Sequence, residues 1–107
     1  MIRHTILFKT KADVSAKHIQ EAMKGFLDLQ NKLTGVITML GGACHFNESV
    51  VRDKANKIFT HSISIDFEEK RDIDNFFNNP VTNSAKDGIV NIVEGGYEGI
   101  IGFELVN

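Results

Sequence analysis

Between Phe59 and Phe67 the chain alternates without a break: Phe59, His61, Ile63, Ile65 and Phe67 at odd positions, Thr60, Ser62, Ser64 and Asp66 at even ones. A period of two belongs to a β-strand, whose successive side chains point to opposite faces. The stretch Ile58–Phe67 is therefore predicted as a strand with one face in a core and the other covered by small polar groups. It demands a sheet that is buried on one side. His61 is the one titratable group on the apolar face, so it must find a partner there or meet a cavity.

The rest of the chain supplies the remaining layers. Ile2–Thr10 alternates in the same way, with Ile2, His4, Ile6 and Phe8 on one side and Arg3, Thr5, Leu7 and Lys9 on the other. After the turn Lys11-Ala12-Asp13-Val14, Ser15 is a good N-cap for an amphipathic helix. Its stripe is Ile19, Ala22, Met23, Phe26, Leu29 or Gln30, and Leu33, and it ends near Thr34-Gly35. Val36–Phe46 reads as a second strand, where Gly41-Gly42 implies a bulge or bend. A solvated charged loop from Glu48 to Lys57, with Arg52-Asp53-Lys54, leads to the third strand. Glu68 and Glu69 suit a helix N-terminus, and Ile73, Phe76 and Phe77 give that helix its apolar side. Pro80 breaks it, because proline cannot donate into a helix. A further stripe, Val81, Ala85, Ile89, Ile92 and Val93, runs to Gly95-Gly96, and Gly88 inside it costs about 1 kcal/mol relative to alanine. Tyr97–Val106 closes the chain as the last strand.

Strand, helix, strand, strand, helix, strand is the order of a ferredoxin-like α+β sandwich: an antiparallel four-stranded sheet with its helices on one face. In this reading strands one and three run side by side and parallel, which would make His4 and His61 neighbours beneath the helices. The other face carries Thr5, Leu7, Ser62, Ser64 and part of the last strand with Ile100-Ile101. It is too apolar to stay comfortably in water, and packing against a second copy is the economical cover.

Composition narrows the functions. A chain of 107 residues fits one domain spanning 1–107 that buries about two-thirds of its unfolded surface without staples. With a net charge of −2, the chain has no general attraction for nucleic acid or anionic membrane. No run approaches the roughly 20 apolar residues of a membrane span. The single cysteine, Cys44, cannot form an intrachain disulfide, and the N-terminal residues lack a secretion-signal pattern, so a cytoplasmic setting is expected. Asn47-Glu48-Ser49 then reads as a turn rather than a glycosylation acceptor. Cys44 is expected to be a buried small hydrophobe.

Four short motifs in a fixed order resemble the stress-responsive dimeric α/β barrel (Dabb) family over nearly the whole chain. They are Ile2-Arg3-His4-Thr5-Ile6-Leu7-Phe8-Lys9, Gly35-Val36 at strand two, Phe59-Thr60-His61 at strand three, and Asn79-Pro80 after helix two. The resemblance implies a homodimer whose sheets face each other, with a small-molecule cavity between sheet and helices in each subunit. One branch, similar to olivetolic acid cyclase, performs an aldol-type cyclisation with a histidine in a His-Pro-x-His motif and a tyrosine one turn earlier. Here the motif reads Asn79-Pro80-Val81-Thr82 and the tyrosine position holds Phe76, so both proton-handling groups of that branch are replaced. The supporting histidines, His4 and His61, match.

These observations lead to a homodimer that binds a small, mostly apolar molecule. Ile6, Phe8, Met23, Phe26, Ile63 and Phe76 are expected to line its site, with Asn79 and Thr82 (and Asn83 nearby) as polar candidates; Ile65, Ile89 and Ile92 would lie in the same layer. An enzyme on the same frame is the alternative: a cofactor-independent cyclase or lyase, isomerase or monooxygenase-like protein. His61 would then be the base, His4 its orienting partner, and Asn79 or Thr82 the donor to an oxyanion. No cofactor is called for. A metal is not expected either, since two histidines fall short of the three or four ligands of a stable site, and Cys44 and His45 point to opposite faces of a regular strand. Gly41-Gly42 and Gly95-Gly96 lack the context of phosphate-binding loops.

Overall fold

The computed structural model describes residues 1–45 and 59–106. The expectations placed on Phe46, on Asn47-Glu48-Ser49, on the run from Glu48 to Lys57 and on Ile58 lie outside those residues. Among the described residues the order is β1 (Ile2–Phe8), α1 (Ala16–Leu27), a 3₁₀ turn (Asp28–Asn31), β2 (Val36–Ala43), β3 (His61–Phe67), α2 (Lys70–Asn78), α3 (Pro80–Ile92), a second 3₁₀ turn (Gly96–Gly99) and β4 (Ile101–Val106). The sheet order is β2-β3-β1-β4, and every neighbouring pair is antiparallel. This is the expected ferredoxin-like α+β frame, with the helices on one face of the sheet.

One expectation about that frame is overturned. Strands β1 and β3 are antiparallel, not parallel, and their register sets His4 opposite Ile65 and His61 opposite Phe8. The helix returns the chain so that β2 runs with β1, and the following connection reverses it, so β3 must oppose β1. His4 and His61 do share the helix-covered face, but four residues of strand separate them, about 13 Å at the usual rise.

Local chemistry explains the elements. The Ser15 side chain accepts a hydrogen bond from the His18 N–H and starts α1, whose Met23 and Phe26 are buried. The helix is shorter than its stripe implied, because the chain tightens into the 3₁₀ turn at Asp28. That turn settles the Leu29 or Gln30 question: Leu29 is buried, while the Gln30 carboxamide accepts from the Met39 N–H at 2.9 Å. Gln30 thereby grips β2 just past its irregularity. The irregularity lies between Val36 and Thr38, not at Gly41-Gly42, which pair regularly with Ile63 and Ser62. Gly41 answers a different need: a Cβ there would stand 3.1 Å from both the Ile63 and the Met23 side chains.

At α2 the Asp72 carboxylate accepts from the Glu69 N–H at 3.0 Å and closes the first turn. Asn79 ends that helix and caps the next, accepting from the Val81 N–H at 2.9 Å, with Pro80 in the first helical position. The buried stripe of α3 is Thr82, Ile89 and Ile92 with Ala85 partly covered, whereas Val81 is exposed. The stripe thus differs from its sequence reading only at its start, where Thr82 replaces Val81, while Ala85, Ile89, Ile92 and Val93 lie as expected. Strand β1 stops at Phe8, leaving Thr10 to a single bridge with Val93. Tyr97 belongs to a 3₁₀ turn rather than to the last strand.

Phe8, Ile63, Ile65, Phe67, Ile92 and Val93 are fully buried, each worth about 1.5–3 kcal/mol relative to exposure. Phe76 sits at the centre, with ring centroids 5.0 Å from Phe77, 5.4 Å from Phe67 and 6.1 Å from Phe26. On the opposite face the Arg3 guanidinium grips Asp66 at 2.8 and 3.1 Å, and the Thr38 hydroxyl donates to the same carboxylate at 2.9 Å. Leu7, Leu40, Ile101, Phe103 and Leu105 share that face, and the last four stay exposed. Ile100, which the sequence grouped with Ile101, packs instead toward the core.

Candidate functional site

Between the sheet and the helices, at the β4 side, lies a cavity of about 460 Å³. Strand β1 contributes His4 and Ile6, β3 Ile63, and β4 Gly102, all on the helix-covered face. The helices contribute Phe26, Phe77, Lys86 and Ile89, and the 3₁₀ turn with its following residue brings Tyr97 and Ile100. The walls are apolar, and three polar side chains interrupt them.

His4 is the innermost of the three in its chemistry. Its Nδ1 is buried without a hydrogen-bond partner among the described residues, and Oε1 of Glu104, directly opposite on β4, lies 3.6 Å away. The imidazole packs on Phe77 with centroids 5.0 Å apart. Gly102 makes room for it, since a Cβ there would stand 3.3 Å from Nε2. Burial holds the imidazole pKa below its ordinary 6.5, and the Glu104 charge offsets part of that effect. The ring is therefore neutral at neutral pH.

The other two polar groups sit together. Lys86 Nζ lies 5.2 Å from the centroid of the Tyr97 ring, a cation–π distance, and Tyr97 is two-thirds exposed. Lys86 makes no ion pair among the described residues.

The two histidines paired by the sequence do not share this cavity. His61 stacks on Phe8 with centroids 5.8 Å apart, and its Nδ1 bonds the Thr60 hydroxyl at 2.8 Å. That hydroxyl also accepts from the Thr10 N–H at 2.9 Å. His61 borders a separate shallow groove with Ile19, Met23 and Gly41, and burial lowers its pKa as well. Of the other expected site residues, Ile6, Phe26 and Ile63 line the cavity with His4. Phe8 and Phe76 lie in the packed core, and Met23 faces the His61 groove. Asn79 is a helix cap, and Thr82 is fully buried with its hydroxyl unpartnered among the described residues. Cys44 is half-buried rather than enclosed. No group of three or more His, Cys, Asp or Glu gathers around a metal-sized gap among the described residues.

Lys86, Tyr97 and Gly102 are not among the residues the sequence marks, and Ile100 is one it assigns to the outer face. Reading 97–106 as one strand hid Tyr97, and Lys86 is a charged residue beside the apolar stripe of α3 rather than one of its positions. The spacing of Thr82, Lys86 and Ile89 at four and three residues was the available signal.

The family described as Stress responsive A/B Barrel Domain matches residues 2–103. No curated protein matches the sequence significantly. Among solved structures, a dimeric ferredoxin-like protein of unknown function from Jannaschia sp. CCS1 is 19% identical with a TM-score of 0.83, over 99% of this chain and 98% of that one. An Arabidopsis thaliana protein is 18% identical with a TM-score of 0.82, over 100% and 95%. A hydroxynitrile lyase from Passiflora edulis is 23% identical with a TM-score of 0.81, over 99% and 93%. At such identities the likeness is one of fold.

Proposed function

The chain belongs to the stress responsive A/B barrel domain family, and from that premise we propose that it is a homodimer holding a small, mostly apolar molecule between its sheet and its helices. The observation that carries this reading is the 460 Å³ cavity, walled by Ile6, Phe26, Ile63, Phe77, Ile89 and Ile100. Its size falls within the roughly 300–1,000 Å³ usual for small-molecule sites. Its chemistry also fits that class: apolar walls interrupted by the His4 imidazole, Lys86 and Tyr97. The exposed Ile101, Phe103 and Leu105 on the outer face support self-association, and the Jannaschia protein of this fold is itself dimeric. The lone Cys44 suits a reducing, cytoplasmic setting.

Titration with the neutral fluorophore N-phenyl-1-naphthylamine tests the cavity. It should bind the wild type and lose at least tenfold in affinity in Ile100→Trp, which fills the cavity from its edge. Absence of binding to the wild type refutes the reading.

A second reading is a cofactor-independent enzyme, favoured by the Glu104 carboxylate behind His4. A neutral imidazole with a carboxylate at Nδ1 and Nε2 toward an apolar space is arranged as a general base. In this reading His4, rather than His61, takes a proton from the bound molecule, and Lys86 balances the negative charge left behind. Hydroxynitriles are one substrate class to offer, given the lyase of this fold. Turnover abolished in His4→Ala and retained in His61→Ala would support it.

A further inference from the structure

We propose that the molecule held in the cavity is an amphiphilic carboxylate, its apolar body against Ile63 and Ile89 and its carboxylate at the rim on the Lys86 ammonium. This deepens the binding role proposed above and rests on it. The charge pattern of the lining carries the inference. Lys86 is the one lysine or arginine among the lining residues, and neither aspartate nor glutamate lines the cavity. Lys86 has no carboxylate partner among the described residues. Its Nζ is held 5.2 Å over the Tyr97 ring. A cation–π contact restrains an ammonium without using up its hydrogen-bond donors, so a second, anionic partner can be accommodated.

The His4 side of the lining sets the orientation. Glu104 stands 3.6 Å behind His4, so a carboxylate brought to the imidazole would meet a like charge close by. The His4 end instead suits a hydroxyl, a carbonyl or plain apolar surface. Tyr97, two-thirds exposed, marks where the cavity meets solvent, and the charged head can stay partly hydrated there beside Lys86. A neutral ligand would leave the ammonium unused, and a cation would be repelled by it.

Competition against bound N-phenyl-1-naphthylamine tests the assignment with three probes of one chain length at submicellar concentration: octanoate, octanol and octyltrimethylammonium. Octanoate should compete roughly threefold to fivefold better than octanol, the scale of one partly screened ion pair. Octyltrimethylammonium should be the weakest. In Lys86→Met octanoate should fall to the level of octanol while octanol is unchanged, and Lys86→Arg should keep the preference. Octanol matching octanoate in the wild type, a preference surviving in Lys86→Met, or failure of all three probes against a bound fluorophore overturns the head-group assignment while the cavity reading stands. Failure of the fluorophore itself to bind the wild type overturns both.

Discussion

The imidazole of His4 and the carboxylate of Glu104 face each other across the β1–β4 pairing, 3.6 Å apart. Burial pulls the imidazole toward its neutral form and Glu104 pulls it back. Glu104→Gln keeps the shape and removes the charge, so the His4 pKa should fall further below its wild-type value. His61, at the other end of the sheet, should titrate unchanged. Side-chain NMR titration measures both in one experiment, and an unmoved or raised His4 contradicts the pairing.

Stability should decline as the medium becomes acidic, in two stages. Both His4 and His61 have folded pKa values below the ordinary 6.5, so from about that pH downward the unfolded chain takes up protons that the folded one resists. Their contribution is complete above 6.5 and is lost as pH falls through the folded values. Asp66, hydrogen-bonded by Arg3, sits below its ordinary 3.8 and adds a second loss at lower pH. Urea midpoints from pH 8 to pH 3 should fall in that order, and the first stage should shrink in His61→Gln.

Adjacent glycines should respond oppositely to one methyl group. At Gly41 a Cβ meets Ile63, Met23 and the Ser62 carbonyl at 3.1 to 3.2 Å, whereas at Gly42 nothing lies within 4 Å. Gly41→Ala should cost about 1–3 kcal/mol through overpacking. Gly42→Ala should be neutral or slightly stabilising, because alanine loses less chain entropy on folding. Chemical denaturation of the two variants checks the contrast.

Thr82 buries a hydroxyl that has no hydrogen-bond partner among the described residues. Valine has nearly the same shape without that polar atom, so Thr82→Val should be neutral or stabilise by up to about 1–2 kcal/mol. A loss of stability would reveal a partner for the hydroxyl.

Phe103 is 43% exposed, opposite Thr5 on the outer face. If that face meets a second copy, Phe103→Glu should weaken self-association at least tenfold, seen as a concentration-dependent drop in mass by analytical ultracentrifugation. The far-UV spectrum should be unchanged. A wild type that sediments as a single chain at every concentration would refute the dimer.

The frame was legible because it rests on periodicities: two in Ile2–Phe8 and His61–Phe67, and the helical repeat through Ile19, Met23 and Phe26. What the sequence hid was relative placement. The inward side of His4 and His61 followed from alternation, but their separation depends on strand direction, which alternation does not encode. The bulge lies at Ile37, held by a Gln30 side chain from another element, while the conspicuous Gly41-Gly42 answers a crowding that only the packed core creates. Lys86 and Tyr97 carry no shared signal in the sequence because their contact joins a helix to a turn residue eleven positions later.

Strand β4 carries two messages on alternate residues: Gly102 and Glu104 turn toward His4, while Ile101, Phe103 and Leu105 turn outward. A slide of one position would exchange the two sets, putting a phenyl ring or an isobutyl group where the imidazole now has its acid. Whatever fixes the outward set therefore also fixes the acid beside His4, so a second copy seated on that outer face would act on the imidazole through a single ribbon.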